Sequence, residues 1–462
     1  MILNFEDKFD EALLINRSFD PTVFFMQNYQ QTIEYLFSRL PMFSRIGAAA
    51  YKNDLTNTLK LCEALGNPQT KFKSIHIAGT NGKGSTSHMM AAILQTAGYK
   101  TGLYTSPHLK DFRERIKIDG EMVSEDFVIQ FTQKIKPLIE EIEPSFFEIT
   151  VAMAFDWFAS NKVDIAVVEV GLGGRLDSTN IIIPQLCIIT NISYDHMNML
   201  GNSIEEIAWE KAGIIKQHIP VVIGQTNDES KHVFQQKATQ VEAKIYFSTD
   251  RKWVTDWVNE KHVLTTNVED KLTKERKNYS LDLNGNYQTK NILAVLTAVD
   301  ILNEAGWHID NKDVQLALTQ VKKLTGLHGR WEMIHQNPLT IIDVAHNEDG
   351  IKEVVKQLEY FDNKKLHLVI GMVKDKEIDK VLSLLPKYAT YYFTKANIPR
   401  ALPENELAEK AKSFGLNGAY FNSVKEALQQ AVNDCHHHDL VLVCGSVFVV
   451  GEVDVHSIQW KA

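Results

Sequence analysis

The chain has 462 residues, too long for one ordinary core, so two domains are expected. Apolar residues at 44% and charged residues at 23% give a soluble globular profile. A net charge of −9 argues against nucleic acid as the main partner, which would call for a basic face.

The opening MILNFEDKFDEALL carries acids where a signal peptide needs positive charge. No stretch approaches the ~20 apolar residues of a membrane span. A cytoplasmic monomer without membrane contact is expected. The four cysteines, Cys62, Cys187, Cys435 and Cys444, are scattered without zinc spacing and read as reduced, buried thiols. The run Cys435-His436-His437-His438 reads as a polar turn before the strand LVLVCG, because no matching ligand cluster accompanies it.

Residues 1–20 show no clear period and read as a short extension. Apolar residues recur at helical spacing from Phe24 to Leu40, and Pro41 stops the run. The small-residue segment FSRIGAAAYK reads as a connector rather than a lid. A second helix fits Asn53 to Leu65, with Gly66 just past its end.

The segment Ile75 to Thr86, IHIAGTNGKGST, orders the rest. Ile75 to Ala78 reads as a buried strand, Gly79, Gly82 and Gly84 interrupt it, and a helix is expected from Ser85 to a stop at Gly98. Strand, glycine loop and helix form a phosphate cradle. Glycines let backbone N–H groups converge on an anion, and the helix adds its unpaired donors and the positive end of its dipole. Lys83 adds a mobile charge for a β/γ-phosphate. The spacing departs from the common G-x-x-x-x-G-K-[ST] loop. Only two residues separate Gly79 from Gly82, and Gly84 stands between the lysine and the hydroxyls.

Further strands are expected at Lys100–Tyr104, Asp164–Val170, Gln185–Asn191 and Val221–Gly224. They alternate with helices at Ser124–Glu141, Phe146–Asn161 and Ser203–Ala212. Polar residues sit at the strand ends, where open α/β sheets place ligands. This is a doubly wound, mostly parallel sheet. Residues 244–283 read as short alternating strands of an antiparallel flap, and Tyr287–Leu302 returns to helix. A boundary fits Gln320–His328, giving domains 1–322 and 323–462. Beyond it, strands at Leu339–Val344, Leu366–Gly371, Thr390–Thr394 and Leu440–Cys444 alternate with helices near 348–360, 376–386, 403–414 and 423–434. That is a smaller, Rossmann-like α/β domain.

The strand ends of the first domain gather oxygen and nitrogen ligands. Ser85 follows the lysine, Ser106 ends one strand, Glu169 the next, and Asp195-His196 the one after, with Lys211 on the following helix. Ser106, Glu169 and phosphate oxygens suit one Mg²⁺, and a second near His196 needs another anionic ligand. Taken singly, each has a structural reading: a cap or ion pair for Glu169, a hydrogen-bonded turn for Asp195-His196, a solvated lysine for Lys211. Their coincidence on one sheet edge favours the metal and phosphate reading. GLGGRLDST is only a partial match to a dinucleotide turn, so a nicotinamide site carries little weight. In the second domain, Arg330 is a candidate phosphate clamp or inter-domain ion pair, and Asp343, His346 and Asn347 share the turn DVAHN.

In order, GTNGKGST, LYTSPHL, RERI, VVEVGLGGRLDSTN, DHMNMLG, EKAGIIK, HGRWE and DVAHN resemble the folylpolyglutamate synthase/dihydrofolate synthase family of the Mur ligase superfamily. The resemblance implies a P-loop-type first domain like the central domain of Mur ligases. It implies an ATP-dependent ligase that joins L-glutamate to dihydropteroate, to reduced folates, or to both, releasing ADP and phosphate. The loop Gly79, Thr80, Asn81, Gly82, Lys83, Gly84, Ser85 and Thr86 would bind ATP. Ser106 and Glu169 would hold a first Mg²⁺, and Glu169 and His196 a second. Lys211 matches a lysine carbamylated by CO₂, which would supply the missing anion. Arg330, Asp343 and Asn291 match nucleotide contacts, and His346 a glutamate or nucleotide contact. Lys83, Glu169, His196 and Lys211 would form the catalytic set. Two other readings are weighed. One is a Mur enzyme of cell-wall synthesis acting on a nucleotide-sugar peptide. The other is a regulatory nucleotide-binding module without catalysis, disfavoured because all four catalytic-set residues are present.

Overall fold

A computed structural model describes residues 28–42, 47, 54–260, 262–361, 365–374 and 376–461. The N-terminal extension, the start of the first expected helix and nearly all of FSRIGAAAYK lie outside the described residues.

The first sheet has eight strands. They are β1 (Lys73–Ala78), β2 (Thr101–Tyr104), β3 (Ile116–Ile118), β4 (Glu121–Met122), β5 (Ile165–Glu169), β6 (Leu186–Ile189), β7 (Val221–Ile223) and β8 (Ile245–Phe247), in the order β4-β3-β2-β5-β1-β6-β7-β8. From β2 to β8 every pairing is parallel, and β3 and β4 add an antiparallel edge. The chain leaves β1 toward β2 and later returns to the other side for β6, so the switch point lies beside β1. Ligands bind at the carboxyl ends around such a point.

The central strands are buried from Ser74 onward in β1 and along all of β5 and β6, because both faces are covered. On one face, α1 (Tyr29–Arg39), α2 (Thr56–Ala64), α4 (Glu125–Ile142) and α5 (Phe146–Ser160) bury Leu36, Leu61, Phe131 and Phe155. On the other, α3 (Lys83–Thr96) and α7 (Gln288–Glu304) bury Met89, Ile93, Ile292 and Val295. Between β6 and β7 runs α6 (Ile204–Ala212).

The expected flap is a three-stranded antiparallel sheet, β9 (Lys252–Glu260), β10 (Val263–Asp270) and β11 (Arg276–Leu281). Its alternating inner residues Leu264, Val268, Tyr279 and Leu281 join the core under α7. The expectation that the flap begins at residue 244 is corrected: Ile245–Phe247 extends the main sheet as β8, parallel to β7. A three-residue strand is too short for its period to reveal its partner.

The second sheet has the order β12-β13-β17-β14-β15-β16: β12 (Glu332–Gln336), β13 (Leu339–Ile342), β14 (Leu366–Ile370), β15 (Thr390–Phe393), β16 (Gly418–Tyr420) and β17 (Leu440–Cys444). All four expected strands are present. The missed strands lie at the two edges. The half-exposed β12 pairs antiparallel with β13, and β16 is exposed along its length, so neither carries a buried apolar run. Helices α8 (Glu348–Leu358) and α9 (Val424–Asp434) pack on opposite faces, burying Ile351 and Val354 on one and Ala427 and Leu428 on the other.

Candidate active site

A cleft of about 4000 Å³ opens between the carboxyl ends of the two sheets. A single small ligand occupies roughly 300–1,000 Å³, so several substrates fit together.

The glycine loop forms its floor. Gly79 and Gly82 have φ of 145° and 83°, left-handed values that favour glycine. A Cβ at Gly79 would strike the Thr190 hydroxyl, and one at Gly82 the Asn291 side-chain oxygen. Helix α3 starts at Lys83, two residues before the expected Ser85, because left-handed Gly82 completes the turn as the cap. The loop is stitched to the end of β6. Thr80 N donates to Asn191 O (3.0 Å), Asn81 N to Asn191 Oδ1 (2.8 Å), and Thr190 Oγ1 to Asn81 O (2.6 Å).

Two lysines converge on the same loop. Lys83 Nζ donates to the carbonyls of Gly79 (3.0 Å) and Thr80 (3.2 Å), and Lys211 Nζ to Gly79 (2.9 Å). Lys211 is only 4% exposed, although by default it would be a solvated helix lysine. Burial, reinforced by the charge of Lys83, brings its amine down to about 7. Burial also lowers Lys83, opposed by Glu169 and Asp195.

Glu169 ends β5 inside the cleft. Its Oε2 accepts from the backbone N–H of Ser106 (3.1 Å), which joins the ends of β5 and β2. Burial raises its carboxyl, with Lys83 pulling the other way. Beyond β6, Asp195 Oδ1 accepts from the backbone of His196 (2.8 Å), and its Oδ2 accepts from Asn347 Nδ2 (3.0 Å) and faces His346 Nε2 (3.4 Å). Lys376 bonds Asp195 and lies 3.3 Å from His196 Nε2. Burial works to raise Asp195, but His196, His346 and Lys376 outweigh it and hold the group well below the usual carboxylate range. Burial brings His196 down to about 3 despite Asp195, so its imidazole is neutral at physiological pH.

The second sheet supplies the facing wall. The Arg330 guanidinium lies over the start of α3, where a Cβ at Gly84 would stand 2.9 Å from its Nη2. Asp343 accepts from Tyr287 (2.8 Å), Trp331 N (2.8 Å) and Ala345 N (2.8 Å), so it organises the turn behind Arg330. Asn347 Nδ2 also donates to Asn81 Oδ1 (3.0 Å), and Lys290 pairs with Glu353 (2.6 Å) across the cleft. Asn291 donates to Gln288 (2.8 Å), and Gln288 donates to Ser85 Oγ (3.0 Å).

Of the residues expected at the site, Gly79 to Ser85, Ser106, Glu169, His196, Lys211, Asn291, Arg330, Asp343 and His346 all line the cleft. Thr86 does not; it is fully buried behind the loop. The partial dinucleotide motif has no following α-helix to receive a pyrophosphate. Asp177 folds the segment onto itself, accepting from Leu172 N (2.8 Å) and Thr179 Oγ1 (2.5 Å). Lys376 is an additional residue of the cleft, and the buried Gln288 holds Ser85 from behind the loop. Lys376 follows the carboxyl end of β14, so the strand-end rule applied to the first domain also points to it. Gln288 carries no such signal.

An aromatic end lies beyond Ser106. The Phe37 ring stacks on His108 (6.2 Å between centroids) and meets Phe146 edge-on (5.3 Å), and Phe147 also lines the cleft. Glu148 in the FFEIT segment is a capping residue, with Oε2 accepting from Ser145 N (2.6 Å).

The model of the Mur ligase middle domain matches residues 77–299, and that of the Mur ligase glutamate ligase domain matches residues 329–447. A dihydrofolate synthase/folylpolyglutamate synthase of Bacillus subtilis is 32% identical, covering 92% of this chain and 98% of its own. The folylpolyglutamate synthase of Mycobacterium tuberculosis, solved with ADP and AMPPCP, superposes with a TM-score of 0.81 at 31% identity, over 92% of this chain and 97% of that one. FolC of Escherichia coli, solved with DHPP and ADP, gives 0.80 at 27% identity, over 92% and 96%.

Proposed function

Because the chain belongs to the dihydrofolate synthase/folylpolyglutamate synthase family of Mur ligases, we propose that it joins L-glutamate to a pterin-bearing acid, dihydropteroate or a reduced folate, at the expense of ATP. The observation that carries this reading is the convergence of Lys83, Lys211, Glu169 and Arg330 on one glycine loop between two sheets.

A carboxylate is a poor acyl donor, because attack on it would have to expel oxide. Transfer of the γ-phosphoryl group makes an acyl phosphate, whose leaving group is phosphate. The glutamate amine attacks, and the tetrahedral adduct collapses to amide and phosphate, with ADP already formed. The protein positions the reactants and neutralises charge. Lys83 follows the transferred phosphoryl group, and Arg330 approaches it from the other wall. The wall contacts Asn81–Asn347 and Lys290–Glu353 keep the lobes together and water away from the acyl phosphate. We read residues 1–322 and 323–462 as these two lobes. One chain completes the cleft, so a cytoplasmic monomer suffices.

The donor set fits hard divalent cations. Glu169 is a buried carboxylate raised by desolvation, a state that a bound cation relieves. The Lys376 ammonium already stands against Asp195 and His196, so that corner accepts positive charge. Ser106 and Glu169 would hold one Mg²⁺, and Glu169, His196 and a carbamylated Lys211 a second. When bound, Mg²⁺ neutralises charge on the phosphates. An amine near 7 is substantially uncharged at neutral pH, which carbamylation by CO₂ requires. The aromatic end at Phe37, His108, Phe146 and Phe147 suits a flat pterin ring.

The test offers dihydropteroate or tetrahydrofolate monoglutamate to the purified protein with ATP, Mg²⁺ and glutamate, and measures ADP. Release that requires both a pterin acid and glutamate is expected. Release with neither acceptor, but with a cell-wall nucleotide-sugar peptide, would replace this reading with the other Mur activity.

A further inference from the structure

A second cluster of ligand-type side chains lies outside the cleft, toward the amino ends of the second sheet. His367 is the second residue of β14, Cys435 caps the carboxyl end of α9, and Asp439 directly precedes β17. All three are buried, at 3%, 1% and 3% exposure. Their ligand atoms lie within 4.8 Å of one another, and none of the three lines the cleft.

Proton counting at His367 calls for a cation. Its Nδ1 is 2.9 Å from the Tyr392 hydroxyl, and that hydroxyl donates to Asp434 Oδ2 at 2.9 Å. A phenol has one proton. With that proton directed at the carboxylate, the hydroxyl accepts from Nδ1–H. Nε2 then turns its lone pair toward Asp439 Oδ2, 3.4 Å away, which also accepts from the backbone N–H of His436 (2.8 Å). Two lone pairs facing each other in a buried site need a proton or a metal between them. The 3.4 Å separation is close to the N···O edge of about 3.3 Å that follows from zinc–ligand distances in a tetrahedron. Cys435 Sγ has a long 3.7 Å contact with the His436 carbonyl. The Tyr392–Asp434 relay holds the other ring nitrogen, as outer partners of metal-bound histidines do.

We propose that His367, Cys435 and Asp439 bind one zinc-type divalent ion, which ties the end of α9 and the 435–439 turn to β14. The mixed sulfur, nitrogen and oxygen set suits zinc rather than magnesium. Binding converts the Cys435 thiol to a thiolate and releases its proton to solvent. The expected polar turn at 435–438 is present, and the proposal adds a ligand role for its first residue. His367, distant in sequence, and Asp439 complete the ligand set around it.

The test uses the full chain, stripped with a chelator and titrated with Co²⁺. A thiolate-to-cobalt charge-transfer band saturating at one equivalent is expected, with displacement by Zn²⁺. The exposed His436, His437 and His438 cannot produce it, because imidazole binding gives no thiolate band. Cys435→Ser should abolish the band and Cys62→Ser should leave it. Asp439→Asn, nearly isosteric, should weaken Co²⁺ binding at least about tenfold. Absence of the band in the unsubstituted protein overturns the proposal, as does survival of the band in Cys435→Ser. Should Cys435→Ser fail to fold, unchanged affinity in Asp439→Asn overturns it. Ligase turnover under saturating Mg²⁺ is a separate readout, so failure here leaves the proposed activity standing.

Discussion

Replacing Lys211 probes the catalytic chemistry most sharply. An ordinary lysine amine titrates near 10.4, so at pH 7 only about one molecule in 2,500 is uncharged. With the amine at about 7, roughly half are uncharged at that pH, a gain of about three orders of magnitude in the form that reacts with CO₂. Lys211→Ala should therefore lose at least ~100-fold in turnover, the scale of removing a charge-stabilising group. Short carboxylic acids should restore part of it by placing a carboxylate in the vacated space. Depleting CO₂ should lower activity of the parent protein, and bicarbonate should restore it. The acid limb of the pH profile should fall near 7. Stability gives a second reading with a defined sign. Between about 7 and 10.5 the unfolded chain holds a proton at this site that the folded chain lacks, so stability rises with pH there. Below 7 the full penalty applies, of order 5 kcal/mol for a depression from 10.5 to about 7. Lys211→Met removes that buried charge, so its melting temperature at pH 7 should equal or exceed the parent's, and lost activity could not be blamed on unfolding. Turnover of Lys211→Ala within about twofold of the parent, unaffected by CO₂, would refute the carbamate reasoning.

Lys83→Ala should abolish turnover while circular dichroism stays native, since its partners are two loop carbonyls rather than the core. Gly82→Ala places a Cβ on Asn291 at a φ of 83°, so a stability loss of about 1–2 kcal/mol in urea unfolding and weaker ATP binding are expected. Lys376→Ala leaves buried Asp195 without its ammonium partner. Turnover should fall at least ~10-fold with a smaller change in ATP affinity, because Lys376 faces the Asp195–His196 corner and not the glycine loop.

The central architecture was legible because buried parallel strands read as continuous apolar runs. Ile75–Ala78, Ile165–Glu169 and Leu440–Cys444 needed no tertiary information. The site was legible for a related reason: the carboxyl ends of the first sheet's strands carry Gly79, Ser106, Glu169 and His196 to one edge. What escaped was set by contacts distant in sequence. The exposed strand Gly418–Tyr420 has no buried face to reveal it. Helix α3 begins at Lys83 because of the Gly82 backbone angle, which composition does not encode. Asp343 lines the cleft, and its three donors from Tyr287, Trp331 and Ala345 come from contacts that the local sequence does not reveal. The partnership of Lys376 with Asp195 spans 181 positions, beyond any local pattern.

The central claim is that a carboxyl oxygen of the pterin acid takes the phosphoryl group before the amide forms. Labelling that carboxyl with heavy oxygen, running one turnover with ATP and glutamate, and weighing the released phosphate by mass spectrometry tests it directly. The account predicts one labelled oxygen in the phosphate. Phosphate free of label alongside formed amide would contradict it.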